Sequence, residues 1–275
     1  MSLKNNFKTF AKKSFGQNFL VDRSYISKII SALNPQPEET IIEIGAGRGA
    51  LTEILIESGA KVIAIELERN MIFVLRERFA GKHNFTLVEA DALEIDFSEM
   101  ISTFGSQNLD TKPVKLVANL PYNISTAILQ KLIEQRNSFS EMILMFQRDV
   151  VERITAPSGN SERGFLTVLT EAYLESEKLF DVPPRAFQPM PKVQSAVVRL
   201  KPRARVELEN ENSFRKMVSA GFRQKRKTIL NNLKSEFNDV EKVFADCAID
   251  SQRRAETLTL EEWLCLTKQK TGDEI

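Results

Sequence analysis

The chain has 275 residues, 42% of them hydrophobic, and its 38 Lys and Arg nearly balance 37 Asp and Glu, for a formal net charge of +1. That length admits one large domain plus a small one, and the apolar content suffices for a substantial core. No stretch approaches the roughly 20 apolar residues of a membrane span. The two cysteines, Cys247 and Cys265, offer neither a disulfide framework nor a zinc spacing and suit a reducing cytoplasm. The single histidine, His83, stands in a loop, which weakens histidine-based catalysis and any His-rich metal site; no metal is expected.

In chain order, short β-rich runs alternate with helical patterns. Ile41–Ile44 precedes a helix over Ala50–Ser58, Val62–Ile65 precedes one over Asn70–Ala80, and Phe85–Val88 and Val114–Ala118 are further strands. Ser125–Gln135 reads as a helix and Met142–Phe146 as a strand, with later strands at Leu174–Asp181 and Ser195–Leu200 around the Pro-rich segment Pro183–Pro191. This alternation predicts βαβ units and a parallel sheet covered on both faces. After Leu200 the pattern turns helical, with candidates at Phe214–Phe222, Lys225–Phe237, Val240–Cys247 and Leu260–Lys268, the last preceded by an N-cap region at Thr257–Leu260. The expected division is an α/β domain over residues 1–202 and a small all-α domain over 203–275.

Charge is unevenly spread. Lys4, Lys8, Lys12, Lys13, Arg23 and Lys28 face one acid, Asp22, at the start of the chain; Arg215, Lys216, Arg223, Lys225, Arg226, Lys227 and Lys234 face none. Two basic blocks on a neutral protein are the footprint of a polyanion, although a solvated face gives the same pattern.

Glu43-Ile44-Gly45-Ala46-Gly47-Arg48-Gly49-Ala50 joins the first strand to the first helix of the alternation. Glycines there let backbone approach a ligand, and the helix behind them presents its amides. Glu66, about 20 residues on, sits where an acid accepts from ribose hydroxyls. This spacing also satisfies a loose dinucleotide pattern, so a nicotinamide cofactor is a rival. Glu43 would repel a pyrophosphate and welcome a methionine ammonium. Asp91 in Glu89-Ala90-Asp91-Ala92 can accept from an adenine amino group, or simply cap a helix. These details favour S-adenosylmethionine.

Asn119-Leu120-Pro121-Tyr122 closes the run Val114–Ala118, where an α/β sheet presents its strand ends to ligand. The Asn amide offers an acceptor and a donor, Pro121 stiffens the turn, and Tyr122 supplies a ring on which a base can stack. A strand-to-helix turn with Tyr122 packed as core accounts for the same four residues.

Taken in order, Lys13-Ser14-Phe15-Gly16-Gln17-Asn18-Phe19-Leu20, the glycine loop, Glu66, Asp91, Asn119–Tyr122 and Pro184–Val193 resemble the small-subunit ribosomal RNA adenine dimethyltransferases of the KsgA/RsmA type. Phe222–Thr228 and Asn231-Asn232-Leu233 extend the likeness to the C-terminal helices. The resemblance implies a Rossmann-like S-adenosylmethionine-dependent methyltransferase sheet with a small helical C-terminal domain. It also implies that Asn18, Leu20, Gly45, Glu66, Asp91 and Asn119 line the methyl-donor site, with Glu43 and Gly47 beside them. Tyr122 and Phe187 would sandwich a flipped adenine, and Arg223, Lys225, Arg226 and Lys227 would hold RNA backbone. Phe187 has core packing as its alternative, but a Phe in a Pro-rich loop is poorly placed for a core. The activity implied is N6,N6-dimethylation of two adjacent adenosines in the 3'-terminal hairpin loop of 16S ribosomal RNA, in the cytoplasm, by a monomer with no membrane association and a role in small-subunit biogenesis. One departure is Arg163-Gly164-Phe165-Leu166-Thr167-Val168, where relatives commonly carry Tyr-Gly-Arg-Leu-Ser-Val; it either contacts RNA or supports packing. Large-subunit adenine methyltransferases share the active-site motifs, whereas DNA adenine methyltransferases usually carry an acid at the position of Asn119.

Overall fold

The computed structural model describes residues 18–104, 114–203 and 210–273; the N-terminal lysines and Lys13–Gln17 lie outside them. The elements are β1 (Phe19–Leu20), α1 (Arg23–Leu33), β2 (Thr40–Ile44), α2 (Ala50–Glu57), β3 (Lys61–Glu66), α3 (Arg69–Arg78), β4 (Phe85–Glu89), α4 (Phe97–Phe104), β5 (Val114–Asn119), α5 (Ser125–Glu134), β6 (Glu141–Gln147), α6 (Arg148–Ile154), α7 (Phe165–Tyr173), β7 (Leu174–Val182), β8 (Phe187–Gln188), β9 (Ser195–Pro202), α8 (Glu211–Gly221), α9 (Ile229–Leu233), α10 (Val240–Asp246) and α11 (Leu260–Asp273).

Seven strands form one sheet in the order β4-β3-β2-β5-β6-β9-β7, and β1 pairs with β8 in a separate two-stranded ladder. β4, β3, β2, β5 and β6 run parallel, and β9 is antiparallel to β6. All five residues of β2 are buried, as expected of a central strand covered on both faces. The chain leaves β2 toward β3 and β4, then returns to β2's other side as β5. The strand order therefore reverses between β2 and β5, the place where open α/β sheets bind ligands. Ile44 lies opposite both Ile65 and Ala118, so the next residues of each strand emerge side by side.

By backbone contacts the chain divides into two compact units, residues 1–148 with 179–201 and residues 149–178 with 202–275. The expected division at 202/203 differs for one stretch: α6, α7 and the start of β7 belong with the C-terminal helices. In that second unit Trp263 is fully buried and stacks on Phe222 at 5.6 Å between ring centroids, and Tyr173 meets Phe214 edge-on at 6.1 Å. α11 starts on a reciprocal cap: Thr259 N donates to Glu262 Oε2 (2.7 Å) and Glu262 N to Thr259 Oγ1 (3.3 Å). Arg163 is buried too, donating to the Ala156 carbonyl at 3.2 Å and pairing with Glu171, so this residue of the divergent segment serves packing.

Two expectations are corrected here. The helix expected over Lys225–Phe237 is a turn across 222–227 followed by the short α9, because Thr228 caps a new helix, accepting from Asn231 N at 3.3 Å. Cys247 and Cys265 form a disulfide, their Cα atoms 5.9 Å apart. Their separation of 18 residues concealed this, since α10 and α11 bring them together only on packing. Among the described residues no helix is long and apolar enough to cross a membrane.

A Cβ built on Gly221 at the end of α8 would lie 2.3 Å from the Trp263 ring. Gly221→Ala is therefore expected to destabilise the protein by about 1–3 kcal/mol through overpacking. Denaturant unfolding checks this, and an unchanged midpoint would contradict it.

Candidate active site

The sheet's strand ends open into a cleft of about 960 Å³, lined by residues of the first unit. Asn18, Leu20, Glu43, Gly45, Gly47, Glu66, Asp91 and Asn119–Tyr122 all contribute to its lining; Phe187 does not.

The floor is the glycine loop. Gly45 has φ +71, its N–H donates to the Ile65 carbonyl at 2.8 Å, and a Cβ there would lie 3.9 Å from the Asn119 carbonyl oxygen. Gly47 has φ +55, and its Cβ would come within 3.1 Å of the Phe19 ring. Positive φ disfavours larger residues at both positions, and at Gly47 the close Phe19 ring adds to this. Phe19 in turn carries the Arg48 guanidinium over its ring at 4.5 Å. The sequence pattern did not mark Phe19 as part of the loop's support, because the contact crosses from β1.

Glu66 is buried at the end of β3, and its carboxylate holds the loops together. Oε2 accepts from Gly47 N at 2.8 Å, and Oε1 from Leu67 N and Glu68 N at 3.0 Å each. An ionised carboxylate offers about four acceptor positions, so capacity for a ligand hydroxyl remains. Asp91 follows β4 and uses Oδ1 to accept from Leu93 N at 2.9 Å. The local turn role and a ligand role through Oδ2 are thus compatible.

Glu43 is 2% exposed. Its Oε2 accepts from Thr52 Oγ1 at 2.6 Å, and burial pushes its carboxyl up to about 8, with the nearby Glu66 adding to the rise. Thr52 is a partner that spacing could not reveal, being on the buried side of α2.

Asn119 ends β5 opposite Met145 of β6. Its Nδ2 donates to the Asn18 carbonyl at 3.1 Å, which commits the donor end of the amide and leaves Oδ1 as the end to accept. Leu120 is buried, and Pro121 O accepts from Ile124 N at 3.2 Å to start the turn into α5. Tyr122 is half-buried with its hydroxyl 2.7 Å from Ser195 Oγ.

Phe187 is placed differently from expectation. It is 4% exposed, belongs to the hydrophobic core around Leu33, Leu55 and Val197, and pairs with Leu20 in the β1–β8 ladder. The Pro-rich segment is not an open loop at this point; Val21 N and Asp22 N donate to Ala186 O at 2.9 and 3.2 Å and draw it against β1. Phe187 thus anchors the strand that carries Leu20.

In the second unit, Arg223, Lys225, Arg226 and Lys227 lie exposed on the turn between α8 and α9. The buried Asn232 donates to the Gly221 and Gln224 carbonyls at 2.7 and 3.2 Å and holds that turn in shape. Arg223 is paired with Glu236 at 3.2 Å, which also binds Lys270 at 2.8 Å, so part of its charge is neutralised.

A mixed sheet with a parallel core and a glycine-floored cleft at its strand-order reversal is the architecture of the Rossmann-like methyltransferases. Two solved structures of that class resemble it. A dimethyladenosine transferase from Plasmodium falciparum has a TM-score of 0.78 and 27% identity over 94% of this chain and 98% of its own. The 23S rRNA methyltransferase ErmE has a TM-score of 0.68 and 26% identity over 92% and 100%. The family model described as Ribosomal RNA adenine dimethylase matches residues 8–271. Relatives named Ribosomal RNA small subunit methyltransferase A are 41% identical in Geobacter sulfurreducens, over 94% of each chain, and 40% identical in Lactococcus lactis, over 92% of this chain and 87% of the relative. The chain belongs to the ribosomal RNA adenine dimethylase family.

Burial of Glu43 has a consequence for stability. The folded protein keeps a proton that the unfolded chain releases near 4.5, so this group's contribution is full below that value and is lost as pH rises to about 8. Glu43→Gln should remove that decline. Denaturant unfolding of both proteins from pH 5 to 9 should show the difference between them changing in the variant's favour as pH rises; parallel curves would contradict this.

Proposed function

We propose that this protein transfers methyl groups from S-adenosylmethionine to N6 of two adjacent adenosines in the 3'-terminal hairpin loop of small-subunit ribosomal RNA. The product is N6,N6-dimethyladenosine, formed on the small subunit or its precursor in the cytoplasm during subunit biogenesis, by a monomer. The observation that carries the reading is the oriented Asn119 amide, its acceptor end left for a ligand, in one cleft with the glycine loop, Glu66, Asp91 and Tyr122.

The residues present fit the donor. Gly45 and Gly47 leave room for backbone approach, Glu66 retains acceptor capacity for ribose hydroxyls, and Asp91 Oδ2 suits an adenine amine. Glu43, buried beneath the loop with its carboxyl pushed up to about 8, is mostly protonated near neutral pH and supports the loop rather than presenting the negative charge expected for the cationic methionine end. Asn18 and Leu20 close the cleft from the β1 side. The donor, when bound, supplies an electrophilic methyl on a sulfonium.

The protein's task is then to position a weak nucleophile. The N6 lone pair of adenine is delocalised into the ring, and two acceptors on its hydrogens favour a pyramidal nitrogen as positive charge develops. Asn119 Oδ1 is one acceptor. The Leu120 carbonyl serves better than that of Pro121 as the second, because Pro121 O already accepts from Ile124 N. Tyr122 provides the stacking face for a base taken out of its stack, worth about 1–3 kcal/mol. Held so, the amine needs no strong base, since its proton can leave to solvent after transfer. RNA backbone is held by Lys225, Arg226 and Lys227, with Arg223 contributing less.

Labelled donor incubated with unmethylated small subunits, large subunits or naked RNA tests the reading directly. Dimethyladenosine in the small subunit is expected, and label in the large subunit alone would overturn it. Asn119→Ala should cut turnover by about 10²-fold or more, as loss of a transition-state partner does, with donor affinity much less affected; a near-normal rate would remove the acceptor role. Neutralising Lys225, Arg226 and Lys227 together should flatten the plot of log binding constant against log salt by about 0.7–0.9 per lost phosphate contact. An unaltered slope would make the turn merely a solvated face.

A further inference from the structure

Tyr122 is anchored at both ends. Its carbonyl accepts from Ser125 Oγ at 3.0 Å, and Ser125 is buried at the start of α5. Its hydroxyl meets Ser195 Oγ at 2.7 Å, and Ser195 is 0% exposed. Ser195 is the first residue of β9 and lies opposite Gln147 in the antiparallel pairing with β6, the strand that also pairs with β5 at Asn119. Just before it, the Gln194 carbonyl accepts from Arg148 N at 2.9 Å. The serine hydroxyl is therefore fixed by the same sheet that fixes the amide of Asn119.

Packing alone does not call for this bond. Phe at 122 and Ala at 195 would fill nearly the same space with no polar group to satisfy, and replacing both partners of a hydrogen bond by apolar groups costs little. What the hydroxyl pair adds is direction. A tyrosine ring hinged only at its Cα can swing about χ1 into the cleft it lines or away from it. Tied at its far end to a strand, it keeps one χ1 and one axis. Because burial of the phenol raises its pKa, it stays protonated through the ordinary assay range and keeps a hydrogen for this bond.

We infer that Ser195 is a positioning residue for the target base: its buried hydroxyl fixes the direction in which the Tyr122 ring, on which the adenine is held for transfer, projects along the cleft. The inference rests on the proposed stacking of adenine on Tyr122. It assigns a part in catalysis to the residue that follows the Pro-rich segment, at the start of β9, whereas Phe187 lies in the core. Ser195 touches neither the base nor the donor and acts through Tyr122 alone.

Four proteins test it: the unaltered chain, Ser195→Ala, Tyr122→Phe and the double variant, assayed on unmethylated small subunits with donor affinity measured separately. Each single change should lower kcat/KM for RNA about fivefold, the factor expected from one net hydrogen bond, and leave the donor Kd unchanged. The double variant should be no worse than the poorer single one. Normal kcat/KM in Ser195→Ala, or losses that multiply in the double variant, would overturn the inference. Tyr122→Phe reads the same bond from the other end should Ser195→Ala fold poorly. Tyr122→Ala separates the two levels of the argument. If it is harmful while Ser195→Ala is neutral, only the positioning role falls; if it is itself neutral, the stacking reading falls and takes this inference with it.

Discussion

Everything in the cleft depends on the parallel register of three strands. With Ile44 opposite Ile65 and Ala118, the chain must emerge from β2, β3 and β5 at one edge, and Gly45, Glu66 and Asn119 become neighbours although 74 residues separate the first from the last (119 − 45). A slip of one residue in either pairing would turn Glu66 or Asn119 to the other face of the sheet, because side chains alternate along a strand. Complete burial of β2 opposes such a slip. The apolar core and the site are thus consequences of one arrangement.

The edge is then made rigid by polar groups that bond to backbone. Glu66 gathers three amides from two loops, Asn119 takes the Asn18 carbonyl, and Tyr122 is held by two serines. Each bond turns a flexible side chain into part of a fixed frame before any ligand arrives. Preorganised acceptors cost no reorganisation at the moment of reaction, and on the proposed function this lets a chain with a single histidine promote methyl transfer.

Much of this was legible in the sequence, and what was not shares a physical cause. β2, β3, β5 and β6 were readable because buried parallel strands are continuous apolar runs, and the glycine loop because positive φ leaves few residues to choose from. The turn at Asn119–Tyr122 was visible through its proline. Contacts between distant segments were not: the two-residue strands β1 and β8, which bury Phe187, have no periodicity to detect. Thr52 under Glu43 and Ser195 behind Tyr122 are ordinary hydroxyl residues until the fold brings them to a partner. The Cys247–Cys265 bond, the grouping of 149–178 with the C-terminal helices and the breaking of the helix at Thr228 are likewise decided by packing rather than by local pattern.

The central claim is that the strand-end edge at β2, β3 and β5 is the donor site. The most direct measurement is the map of backbone amide shifts on adding S-adenosylhomocysteine, the demethylated donor, to the labelled protein. The account predicts the largest changes at Gly45, Gly47, Glu66, Leu67, Asp91 and Asn119, with little response in α8 to α11. Changes concentrated in those C-terminal helices, with the glycine loop unmoved, would contradict it.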